Sequence, residues 1–153
     1  MNIDQTIKAK LLARCFLYVE QRMETSKEAM KYAQDSANME EKNSAGDKYE
    51  TGRAMAQIER DKAARQLDEA LKLRTILYQI NPVSNSSKIT SGTLVITEAS
   101  RFYLAISIGN IIIEGLDYIV LAPTSPIGKT LLNLKKGDQF TFNKRVHSII
   151  EVL

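Results

Sequence analysis

The side chains able to do chemistry are few: one cysteine, Cys15; one histidine, His147; and a set of carboxylates gathered between residues 35 and 50. Cys15 sits between Arg14 and Phe16 in an apolar repeat, the setting of a small half-buried thiol, and His147 alternates with Val146 and Ser148 as a strand residue does. They are about 130 positions apart, and no third group recommends a Cys-His nucleophile. Gly128-Lys129-Thr130 ends like a phosphate-binding loop, but no glycine precedes it at the required distance and Pro126 occupies the approach. No Cys or His cluster offers a soft metal site, so no intrinsic metal or cofactor is expected. The remaining constellation is Asp35, Glu40, Glu41, Asp47 and Glu50, interspersed with Lys42 and Lys48. Carboxylates are ligands for a hard cation such as magnesium. Carried at the end of an arm, they can complete another protein's metal centre in trans. The same acids also have plain explanations: Asp47 and Glu50 suit the first turn of a helix, where negative charge is favoured, and Glu40 and Glu41 suit solvent.

Such an arm is visible in the spacing. Leu12, Phe16, Val19, Met23, Ser26, Met30, Ala33 and Ala37 alternate steps of four and three, the seam of a helix packed along another helix. Tyr49, Ala56, Ala63, Ala70 and Leu77 recur every seven residues and are joined by Leu67 and Leu71. Met55 and Ile58 fall off that register, which predicts a packing shift midway along the second helix. Asp61 with Arg65 and Asp68 with Lys72 form acidic-before-basic pairs on its outer side. Between the helices, Glu40 to Gly46 predicts a tight reversal, with Ser44 and Asp47 at capping-box spacing. Helices of roughly 35 residues make a hairpin on the order of 50 Å long, slim where Ala33, Ala37, Ala45 and Ala56 replace larger side chains. That form suits insertion; it also fits a hairpin that dimerises or covers a sheet.

The character of the chain changes near Asn81-Pro82, giving two expected domains, 1–80 and 81–153. The second is strand-rich: Thr93 to Ala99, Arg101 to Ile108, Asn110 to Ile113, Asp117 to Ala122, Gln139 to Asn143 and Val146 to Val152, with Lys144-Arg145 at the last hairpin. Ser125-Pro126 opens a short helix through Leu132. The Ile111, Ile112, Ile113 run cannot all face one side of a strand. The fold class expected is α+β: an antiparallel helical hairpin, or coiled coil, followed by a small antiparallel sheet domain with one short helix.

The whole chain, at 153 residues with 25% charged and 44% hydrophobic, is that of an ordinary globular protein. Its 21 basic and 18 acidic side chains divide as 14 and 13 in residues 1–80 and 7 and 5 beyond. Neither half has the one-sided basic character of a nucleic-acid-binding domain, so no direct sequence-specific nucleic acid partner is expected. The uncharged stretches are too short and polar to span a bilayer. With one cysteine and no leader pattern, the expected compartment is the cytoplasm.

The stretch Ser125-Pro126-Ile127-Gly128-Lys129-Thr130-Leu131-Leu132-Asn133-Leu134-Lys135-Lys136-Gly137-Asp138 resembles the C-terminal signature of the bacterial Gre transcript-cleavage factor family. There Ser-Pro, Gly, paired Leu, paired Lys and Gly-Asp occur in this order and spacing. With the order of parts, the resemblance covers nearly the whole chain. It implies an FKBP-like second domain that docks on RNA polymerase beside its secondary channel, and a hairpin that enters the channel. It further implies that tip acids help hold a magnesium ion shared with the polymerase, stimulating hydrolysis of backtracked RNA by the polymerase itself. The chain is then no enzyme of its own. In the family two acids three residues apart precede a Tyr, with an Arg four residues after it. Tyr49 and Arg53 fit the latter pair, and counting back places Lys42 and Ala45 at the acidic positions. Asp47 and Glu50 keep the three-residue spacing in another register, and Glu40 and Glu41 lie close by. Two activities follow: a cleavage factor with a rearranged tip, or a channel-occupying regulator that does not stimulate cleavage. A third reading is a hairpin-mediated homo-oligomer or adaptor. A 3-oxoacyl-acyl-carrier-protein synthase is the enzyme alternative, but such synthases are similar to thiolases, with a nucleophilic Cys and two further His or Asn partners on a chain at least twice as long.

Overall fold

The computed structural model describes the backbone of residues 3–42, 47–83 and 86–153, and side chains for 6–39, 50–83 and 86–153. Two long helices open the chain, α1 (Ile3–Lys42) and α2 (Asp47–Tyr78). Six strands and a short helix follow: β1 (Leu94–Thr97), β2 (Arg101–Leu104), β3 (Gly109–Ile113), β4 (Leu116–Leu121), α3 (Pro126–Leu131), β5 (Gln139–Phe142) and β6 (Arg145–Val152). By packing, the chain divides into one unit of Met1–Leu17 with Thr75–Leu153 and another of Tyr18–Arg74. The change near residue 80 thus marks where helix gives way to strand, while the division into compact units falls inside both helices.

In the Tyr18–Arg74 unit the helices run antiparallel, with Arg22 Nη2 3.8 Å from Glu69 Oε2. The seam follows the apolar periodicity: Val19, Met23, Ser26 and Ala33 of α1 and Ala56, Ala63 and Ala70 of α2 are buried. Ser26 is tolerated there because its hydroxyl donates to the Arg22 carbonyl one turn back. The packing shift expected in α2 does not occur. The seven-residue spacing runs unbroken from Ala56 to Leu77, and Met55 and Ile58 are exposed beside it. Glu40, Glu41 and Lys42, expected in the reversal, are instead the last helical residues of α1, and 43–46 lie outside the described residues. Ser44, and with it the expected cap, lies outside the described residues.

In the other unit the sheet order is β3-β4-β2-β1-β6-β5. The expectation of an antiparallel sheet needs correction: β2 and β4 are parallel, Tyr103 opposite Val120, while the other pairs are antiparallel. The cause is the β3–β4 hairpin. It reverses at Glu114-Gly115, both at positive φ, where glycine at the second turn position carries no Cβ penalty. Since β3 takes the sheet edge, β4 returns beside β2 in the same direction. The last hairpin turns at Asn143-Lys144, both at positive φ, with Arg145 already in β6 paired to Phe142, so the reversal sits one residue earlier than expected.

Alternation puts Val95, Phe102, Leu104 and Leu121 on one face, packed with Ile89, Leu131, Phe140 and Ile149. Cross-strand partners Leu94, Tyr103 and Val120 line the opposite face. The first turns of α1 reach the β3 edge: Lys10 pairs with Glu114, and Arg14 donates to the Ile112 carbonyl at 3.3 Å. Of the isoleucine run, Ile113 is buried and Ile112 faces solvent.

Candidate functional site

Two helix termini set the hairpin's closing end, α1 running to Lys42 and α2 beginning at Asp47. Glu40 and Glu41 fall in the final turn of α1 and Asp47 begins α2; their side chains lie outside the described residues, as do Lys42 and Ala45. Glu50 is exposed. It shares a helix face with Arg53, Ala54 and Gln57, which line a shallow depression with it. Asp35 is one further exposed acid on α1.

Below that end, a groove of about 750 Å³ runs between the helices. Gly52, Ala33, Ala56 and Ala63 form its floor, with Glu28 and Tyr32 on the α1 wall and Met55, Glu59 and Lys62 on the α2 wall. The sequence signal for it was the alanine seam: small side chains let two helices close without filling the surface between them. What the periodicity did not reveal is that Tyr32 and Met55 stand at its rims.

The 125–138 stretch resolves into local structural duties. Ser125 Oγ accepts from the Gly128 N–H at 3.1 Å and donates to the Ala122 carbonyl at 2.6 Å, capping α3. Pro126 occupies the first helical turn, where its missing N–H costs nothing. Gly128 is required for space: a Cβ there would stand 2.2 Å from the Ala122 carbonyl oxygen and 2.9 Å from Pro123 backbone atoms. Leu131 is fully buried in the sheet core and Leu132 packs at its margin. The Leu132 N–H closes α3 on the Gly128 carbonyl. Gly137 has φ +90, and Asp138 accepts from the Lys135 N–H at 3.0 Å, fixing the turn into β5. Lys88 and Lys135 meet in an isolated bridge. The contacts of Ser125, Pro126, Gly128, Leu131, Leu132, Gly137 and Asp138 specify how a helix crosses this sheet.

Cys15 and His147 fit the same pattern. Cys15 is fully buried, and burial pushes its thiol up to about 12. It lies by the buried hydroxyl of Tyr103, which has no hydrogen-bond partner among the described residues and is itself held above its ordinary value by burial, with Cys15 adding to the effect. A thiol in this state is a poor nucleophile. Folded protein at pH 8 is therefore expected to leave Cys15 unmodified by a disulfide reagent while urea-unfolded protein reacts fully; rapid labelling of the folded chain would contradict the assignment. Lys8, two turns earlier, is also buried, which lowers its pKa. A lysine in the apolar stripe is invisible to a hydrophobic count because its stem packs as a hydrophobe.

His147 stacks on Phe140, ring centroids 5.1 Å apart and 20° between planes. Its Nδ1 is buried with no hydrogen-bond partner among the described residues, 3.7 Å from Glu98 Oε1. Glu98 accepts from the Ser148 N–H at 2.9 Å, tying the β1–β2 turn to β6. Hydrogen bonds from its own backbone N–H and from Ser148, helped by His147 and opposed by desolvation, hold the Glu98 carboxyl below its usual value. A depressed carboxyl stabilises the fold above the unfolded-state value, 4.5, and loses that contribution as pH falls through the folded value. Urea midpoints measured from pH 7 to pH 3 should accordingly drop further for the natural chain than for Glu98→Gln; parallel curves would show that the tie contributes nothing.

Among the described residues no group of three or more His, Cys, Asp or Glu converges as a metal site. No described helix is long and apolar enough to cross a membrane. The chain is thus of a class defined by an antiparallel helix pair preceding a six-stranded mixed sheet with one short helix. No protein-family model matches the sequence, and no curated protein matches it. Among solved structures, it is similar to one described as the transcription factor Gfh1, with 20% identity, 92% of each chain covered and a TM-score of 0.34.

Proposed function

We propose that this protein is an RNA polymerase-binding transcription elongation factor of the Gre type. It inserts its helical hairpin into the polymerase secondary channel and modulates cleavage of backtracked RNA. The observation that carries this reading is an antiparallel helix pair with Glu40, Glu41, Asp47 and Glu50 at its closing end, in a chain whose buried Cys15 and β6 His147 make no catalytic pair. The order of parts supports it, since the hairpin precedes a sheet unit built around the Ser125 to Asp138 motif. The protein has no reaction of its own on this reading and works in the cytoplasm on the polymerase active site. Carboxylate oxygens at the tip are suited to a hard magnesium ion shared with the polymerase.

The occupants of the family's acidic positions, Lys42 and Ala45, favour a second reading in which the hairpin fills the channel without supplying metal ligands. Arrested elongation complexes separate the two. A cleavage factor shortens the backtracked transcript, and changing Glu40, Glu41, Asp47 and Glu50 together to Ala removes the effect. A regulator slows extension or intrinsic cleavage, and the same variant retains that property. A protein that leaves the complex unchanged in every respect overturns both.

A further inference from the structure

The groove between the helices of the Tyr18–Arg74 unit has features that its alanine floor does not explain. Tyr32 is 77% exposed and Met55 62% exposed, large apolar side chains standing on the rims of an apolar groove. Exposed apolar surface gathered at one place marks a contact face. Charge distribution identifies what the contact is. The Arg22 to Glu69 contact fixes the antiparallel register. Six residues along α1 and seven back along α2 bring Glu28 and Lys62 to the same level on opposite walls. Neither joins an ion pair among the described residues. A face with an acid on one wall and a base at the same height on the other complements itself under a two-fold axis along the hairpin.

We propose that this groove is the contact face of a homodimer, in which two hairpins pack as a four-helix bundle. The two-fold axis lays α1 of one copy over α2 of the other. Glu28 then faces Lys62 of the partner subunit, and Lys62 faces Glu28 of the partner subunit. Tyr32 and Met55 supply the bulk that the alanine floor lacks, as knobs entering the hole opposite. Stacking along the groove accounts for apolar rims this exposed beside Glu28 and Lys62, which join no ion pair among the described residues.

The test is sedimentation equilibrium of the full chain, alone, at concentrations up to about 100 μM, where even a micromolar affinity populates the dimer. The natural chain is expected to dimerise. Glu28→Lys and Lys62→Glu, both at exposed positions that leave the seam untouched, should each weaken the dimer at least about tenfold. Mixing these two variants should restore dimers, because every cross-pair in the heterodimer is again of opposite sign, and the double variant should dimerise like the natural chain. Tyr32→Glu should abolish association, with circular dichroism confirming unchanged helix content. A natural chain that stays monomeric throughout, a dimer indifferent to both single reversals, or failure of the mixture to associate overturns the proposal. Since no polymerase is present, the outcome is independent of the transcription assay.

Discussion

Gly128→Ala is expected to destabilise the sheet unit by about 3 kcal/mol or more, a large share of what holds a small domain together. The added methyl would lie 2.2 Å from the Ala122 carbonyl oxygen. That oxygen already accepts from the Ser125 hydroxyl and the Ser125 N–H. It therefore cannot retreat without uncapping α3, and a moving α3 withdraws Leu131 from the core. Backbone is what the methyl meets, so no rotamer change relieves the clash. Urea unfolding read by tyrosine fluorescence should show a clear fall in midpoint; an unchanged midpoint would mean that α3 shifts freely. The contrast with Ser125→Ala is informative, because loss of the cap alone costs about 1 kcal/mol.

The second large effect belongs to the hairpin. Val19 and Ala70 are fully buried in its seam, so Val19→Asp or Ala70→Asp places a carboxylate in an apolar contact with no partner. Such burial costs several kcal/mol unless the group takes up a proton. Helices this long hold together in water chiefly through their shared seam, and each variant should lose a large part of the helical signal at 222 nm near neutral pH, with partial recovery in acid as the carboxyl protonates. Undiminished ellipticity at pH 7 would show that the seam is not what pairs the helices. Met55→Asp and Ile58→Asp, off the seam and exposed, are the controls that should leave helix content intact.

These effects also locate what the sequence made legible. The hairpin seam was readable because a helix repeats its contacts every three or four residues, and Val19, Met23, Ala63 and Ala70 are where that count puts them. The α3 cap was readable because Ser125, Pro126 and Gly128 act on one another within one turn. The parallel pairing of β2 with β4 was not, since a strand's alternation says which side chains share a face and nothing of which strand lies alongside. Met55 and Ile58 are a related case: an apolar side chain off the register reads the same in sequence whether it bends the seam or, as here, stands exposed outside it. Gly128 was visible as a motif residue, but its cause, the Ala122 carbonyl pressed against it, depends on a fold-level approach. The link from Glu98 to Ser148 and His147 spans about fifty positions and leaves no local trace. Of the acidic candidates, Glu40, Glu41 and Asp47 belong to the helix ends and Glu50 is exposed; the side chains of the first three lie outside the described residues, so their grouping around the reversal stays an expectation from the sequence.

The proposed role stands on the hairpin's closing end entering a polymerase channel, and a zero-distance reporter there addresses it directly. Asn43 replaced by a photo-activated benzophenone amino acid, in protein mixed with a backtracked bacterial elongation complex, should cross-link under light to the polymerase subunits that line the catalytic centre and to the extruded RNA 3′ end. The same reporter in place of Lys144, at the β5–β6 turn, should label neither. Cross-links from position 43 confined to the outer surface of the polymerase, or none at all at saturating protein, would contradict the account.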